Sequence, residues 1–136
     1  MEYWFKFAVA IGGGVASYLW GGWSAILQTL VIFVALDYVT GVIAAGKHGK
    51  LSSEVGFWGI LTKIAIFAVI AVAHLVDNTL GNGHAFRDAT ITFFLCNEAL
   101  SILENSIKLN VPVPEFLKKA VESLKEDAKK DVKKNE

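Results

Sequence analysis

The sequence predicts an all-α integral membrane protein with four transmembrane helices, three being the alternative, and a C-terminal amphipathic helix on the cytoplasmic side. Three observations predict it. Hydrophobic residues make up 54% of the 136-residue chain and charged residues only 19%, with a mean hydropathy of +0.47. The charges are unevenly placed: residues 118–136 carry 12 of the 26, and the first 117 residues carry 14. Apolar stretches at 3–20, 24–45, 57–76 and 89–109 are long enough, at about 1.5 Å per residue, to cross a bilayer core of about 30 Å. A membrane domain over 1–110 and a Pro-hinged, charged tail over 111–136 follow.

The first stretch, Tyr3 to Trp20, carries one charge, Lys6. A secretory signal is disfavoured, because Glu2, Tyr3 and Trp4 are no basic leader and no small-residue cleavage site follows. The second, Ser24 to Ala45, holds only Asp37, and the third, Phe57 to Val76, holds Lys63 and His74. These three are apolar all round, whereas soluble helices show a polar stripe. The fourth, Ala89 to Leu109, carries Glu98, Glu104 and Lys108 and is the least apolar. Gly21-Gly22-Trp23 and Gly81-Asn82-Gly83 read as turns. Pro112 and Pro114 end the fourth helix and start a new one. There Phe116, Ala120, Leu124, Ala128 and Val132 recur every fourth residue, an amphipathic helix suited to solvent, anionic lipid or a partner.

Trp4, Trp20, Trp23 and Trp58 fall at the expected span ends, where amphipathic rings anchor at the interface. Four spans collect Lys6, Lys47, Lys50, Lys108 and the seven tail lysines on one side and leave only Arg87 on the other. Cationic residues mark the cytoplasmic face, so both termini are expected there. Three spans would export the lysine-rich tail.

Charges at membrane depth seek partners, since each costs roughly 2.5–3.5 kcal/mol at a helix centre. Asp37 lies 13 residues before Lys50 and Lys63 lies 13 after it, so an antiparallel hairpin sets them at similar depth. They form an ion pair fixing the hairpin register, or they line a water-filled path. In the fourth stretch Asn97, Glu98, Ser101, Glu104, Asn105 and Lys108 share one helical face. A polar stripe there must face protein, water or another copy. A pore lining, an internal network with Lys63 and placement in the interface plane each satisfy it, and a hidden or pore-facing stripe is favoured. Ala8, Gly12 and Ala16, with Gly41 and Ala45, offer small-residue faces for close helix packing, within the chain or between copies.

Zero formal net charge argues against nucleic-acid binding. One cysteine excludes an internal disulfide, and Cys96 reads as a buried apolar residue. His74 with Asp77 is too few ligands for a metal site. Gly12-Gly13-Gly14 lacks the strand-to-helix setting of a phosphate loop. No metal, cofactor or enzymatic site is expected.

Leu36-Asp37-Tyr38-Val39-Thr40-Gly41 is followed by Lys50-Leu51-Ser52-Ser53, then by Gly56-Phe57-Trp58-Gly59-Ile60 with Lys63. Asn97 to Asn105 reads Asn-Glu-Ala-Leu-Ser-Ile-Leu-Glu-Asn, and Val111-Pro112-Val113-Pro114 closes the series. In this order and spacing, over roughly residues 30–124, the sequence resembles the toxin secretion/phage lysis holin family. The resemblance implies a homo-oligomer in the cytoplasmic membrane of the bacterial host. It opens lesions at a set time, through which an endolysin, or in some relatives a toxin, passes. An antiholin is a further implied partner. Asp37, Lys63, Glu98, Ser101, Glu104 and Asn105 become candidates for assembly or pore lining. Met1 is the only methionine, so a shorter inhibitory form from an internal Met start is not expected. The competing readings are a four-span exporter with Asp37 as its proton-coupled carboxylate, and an antiholin-type inhibitor.

Overall fold

The computed structural model describes residues 1–134, apart from the side chain of Val132. The tail's last two residues, which fall in the predicted charged end, lie outside the described residues. Five helices make up the described chain: α1 (Glu2–Trp20), α2 (Ala25–Lys47), α3 (Ser53–Leu80), α4 (Ala85–Lys108) and α5 (Glu115–Lys134). Among the described residues there is no strand.

Two of the helices are long and apolar enough to cross a membrane: α2 and α3, with mean hydropathies of 2.0 and 2.2 in their most apolar windows. Their outer faces leave Val31, Ile32, Val39, Ile64, Val69 and Val72 exposed. Such a surface suits hydrocarbon and not water. At 28 residues α3 outruns the predicted span at both ends. The Ser52 hydroxyl accepts from the Val55 N–H at 3.1 Å and starts the helix early. Gly81, with φ of 72°, ends it late by returning its N–H to the Asp77 carbonyl.

The centre of the bundle is α4. It runs along α2, packs against α3 and carries α5 on its remaining side. Direct contact between α2 and α3 is limited, so the expected hairpin is bridged by α4. Leu27 and Leu30 of α2, Ile66 and Ile70 of α3 and Ile91 of α4 form the apolar core. Helix α1 stands apart and meets α3 near its own C-terminal end. The Trp20 indole N–H donates to the Phe67 carbonyl at 2.8 Å, and its ring meets Phe67 edge-on. Trp20 is therefore docked on protein, while Trp4, Trp23 and Trp58 are exposed as an interface role expects.

The tail also differs from its expectation. Instead of leaving the bundle, α5 turns at Pro112–Pro114 and runs back antiparallel along α4. The Lys125 and Lys129 ammonium groups lie 5.7 and 5.6 Å from the Phe93 ring centre. Leu117, Val121 and Leu124 line a groove with Leu95, Cys96 and Leu103, and Ala128 is buried. Phe116 and Ala120 of the expected stripe are exposed. A strict four-residue repeat advances about 400° per step and drifts off one face, so the packed stripe alternates steps of four and three.

The α1–α2 turn is held at close quarters. Gly21 has φ of 75°, and a Cβ there would stand 2.7 Å from both Arg87 Nη1 and His74 Cε1. Gly21→Ala should therefore destabilise the fold by about 1–3 kcal/mol. Thermal unfolding in detergent checks this, with Gly22→Ala, which meets open space, as the milder control.

Candidate functional site

The polar residues of three helices converge at mid-depth. Asp37 faces inward from α2, on the side of the helix opposite the exposed Val39 and Ile43, and is 8% exposed. Glu98 faces inward from α4 and is 5% exposed. Lys63 of α3 reaches between them. Its ammonium donates to Asp37 Oδ2 and, at 2.7 and 2.9 Å, to both Glu98 carboxylate oxygens. Asn105, two turns further along α4, donates to Asp37 Oδ1 and to the Thr40 hydroxyl, both at 3.0 Å. Thr40 in turn donates to the Leu36 carbonyl at 2.8 Å. Each charge is thus answered by a partner, as a low-dielectric site requires.

The structure brings together Asp37, Lys63, Glu98 and Asn105 from the expected set. Asn97 and Ser101 are half-buried and Glu104 is exposed, and these three stay outside the network. Gly41 is taken up inside the chain, since a Cβ there would sit 3.5 Å from Asn105 Nδ2. Ala45 lines the same recess. The α1 face behaves differently: Ala8 and Gly12 are exposed, Ala16 is half-buried, and among the described residues nothing approaches within 4 Å of a Cβ on Gly12.

Sequence reasoning missed two features. Tyr38 lies against Gly56 and Gly59, where added Cβ atoms would come within 3.4 and 3.7 Å of it. The signal was present, because all three residues stand in the short motifs above. The second is a capping cluster at the other end of the bundle. Asp77, fully buried, accepts from the Phe86 and Arg87 backbone N–H groups at 2.9 and 2.8 Å and so caps α4 from α3. Arg87 donates to the Trp20 and Gly21 carbonyls at 3.0 and 3.1 Å, closing the end of α1. His74 stacks on His84 with ring centres 5.9 Å apart. Its Nδ1 is buried and without a hydrogen-bond partner among the described residues. These histidines and Asp77 form no metal-holding group of three or more ligands among the described residues.

Helices α2 and α3 with apolar outer faces, and an ionic network held between them and α4, define an integral membrane protein of the all-α class. Residues 14–126 match the bacteriophage holin family, and the chain belongs to it. That family consists of membrane proteins without enzymatic activity. An uncharacterised protein of Listeria monocytogenes is 43% identical over 121 residues, covering 89% of this chain and 86% of its own length. An uncharacterised 14.9 kDa protein of Clostridium perfringens is 41% identical over 120 residues, covering 88% and 91%. A protein of Bacillus phage phi105 named "Probable holin" is 33% identical over 88 residues, 65% of each chain. No solved structure matches.

Removing the cation strands two buried carboxylates. Lys63→Met should cost about 3–5 kcal/mol. The triple variant Lys63→Met, Asp37→Asn, Glu98→Gln should recover most of that loss. Unfolding curves in detergent micelles measure both, and equal stability of the single and triple variants would show that the network carries no such energy.

Proposed function

We propose that this holin-family chain acts as a pore former. Copies accumulate in the cytoplasmic membrane of a bacterial host, oligomerise and open lesions that release an endolysin or a toxin. The observation that carries the reading is the half-buried ion network at Lys63. It lets the polar helix α4 share the depth of two strongly apolar helices, with Ile91 beside Leu30 and Ile70 and Glu98 beside Lys63. We therefore take α1 to α4 as spans, with both termini cytoplasmic, as the lysine distribution demands. The tail lysines then begin on the side of Lys47, Lys50 and Lys108.

Assembly has a ready surface in α1. Ala8 and Gly12 are exposed, nothing among the described residues comes within 4 Å of a Cβ on Gly12, and small residues let a neighbouring copy's backbone approach closely. The charges inside the bundle are mutually satisfied, so a single copy is tolerated by lipid until neighbours accumulate.

Inducible expression in bacteria should give delayed, abrupt loss of membrane potential followed by release of cytoplasmic protein. Gly12→Leu should lengthen the delay several-fold or abolish release while membrane insertion persists. Sustained growth with an intact potential at high wild-type expression would sink the pore-forming reading.

A further inference from the structure

We propose that α5 is the water-facing wall of the lesion, docked along α4 through the depth of the membrane. The inference deepens the pore-forming reading and rests on α4 being a span.

Four facts carry it. First, the inward part of the α4 stripe is bound inside the chain: Glu98 and Asn105 are held by Lys63, Asp37 and Thr40, Asn97 and Ser101 are half-buried, and Glu104 and Lys108 are the stripe residues left exposed. Second, α5 has 20 residues, about 30 Å of helix, which matches the hydrocarbon thickness. Third, it lies along that depth from end to end. Leu117 shares a groove with Leu103, Lys125 and Lys129 sit over Phe93, and Lys134 shares a recess with Ala85. Fourth, its Leu117–Val121–Leu124–Ala128 side is turned to α2 and α4, with Asp127 and Asp131 at the recess beside Ala85 and Asp88, and its outward side exposes Lys119, Glu122, Glu126, Lys130 and Lys133. The remaining outer surfaces, on α1, α2 and α3, are apolar.

Lipid cannot receive that outward side. Each such charge at mid-membrane costs roughly 2.5–3.5 kcal/mol, so several together cost on the order of 10 kcal/mol. Water can receive it, and only neighbouring copies can enclose water at that depth. Docking of α5 is therefore coupled to assembly. In an isolated inserted copy α5 stays in the cytoplasmic water. Where copies surround a common space it swings onto α4, which carries its C-terminal end from the cytoplasmic side to the Ala85 end of α4, and presents alternating charges to the lumen. Carboxylates and ammonium groups are interspersed on its face, which keeps the wall hydrated whatever the charge of the passing protein.

The single native cysteine makes this testable. Cys96 is 1% exposed and lines the groove with Leu124. The full-length Leu124→Cys variant is reconstituted in phosphatidylethanolamine/phosphatidylglycerol vesicles holding a trapped fluorescent dextran and oxidised with copper phenanthroline. A Cys96–residue 124 disulfide should form within one chain, and the locked protein should release the dextran as the reduced protein does. Release that stops on locking and returns with reductant would show that α5 must leave α4, and would overturn the proposal. Leakage with no disulfide formed would overturn it too. As a second measurement, the double reversal Glu122→Lys, Glu126→Lys should shift the reversal potential of planar-bilayer currents toward anion preference, and unchanged selectivity counts against the wall. Failure of the unlocked wild-type protein to release any dextran would instead remove the pore-forming reading, and the wall with it.

Discussion

One ammonium group decides where the polar helix of this protein can live. Lys63 joins the carboxylates of α2 and α4, and Asn105 completes the shell around Asp37. Remove that joint and α4 is a helix with a carboxylate facing hydrocarbon. With it, α4 becomes the shared neighbour of α2, α3 and α5. The joint also explains the weak direct contact between α2 and α3: their register is set through α4, by charge at mid-depth and by the Leu30–Ile70–Ile91 layer above it. Its worth lies less in net stability than in register, because a buried ion pair roughly offsets its own desolvation while a misplaced one does not.

Much of this was legible in the sequence. The apolar runs located α1 to α4, and equal spacing about Lys50 put Asp37 opposite Lys63. Glu98 was visible as part of a stripe, but helical spacing gives a face and not the identity of what covers it. The direction of the tail was hidden for a related reason. The spacing by fours that announced α5 drifts around the helix, and the side turned to α4 is Leu117, Val121, Leu124 and Ala128, of which Ala128 is buried. Asp77 and Arg87 were harder still. Both act on backbone groups at helix ends far away in sequence, and such contacts leave no periodic trace. The Trp20 N–H meets the Phe67 carbonyl, and composition marks an aromatic near a span end without saying whether its N–H meets lipid headgroups or protein.

Polar surface is therefore divided into two kinds. One is closed on itself around Lys63 and makes insertion tolerable. The other lies on α5 and stays exposed on the single chain. A membrane protein whose charges were all of the first kind would be a stable resident. One with all of the second would never insert. The proposed pore-forming role calls for both, and they are carried by separate helices.

The hold of Arg87 on the Trp20 and Gly21 carbonyls has a consequence for biogenesis. The Gly21 carbonyl leaves the ribosome 66 residues before Arg87, whose guanidinium donates to it. Until α4 emerges, the α1–α2 turn carries open carbonyls, and the Leu27, Leu30, Ile66 and Ile70 layer lacks Ile91. The bundle is thus locked from the carboxyl-terminal side only once synthesis is well past its middle.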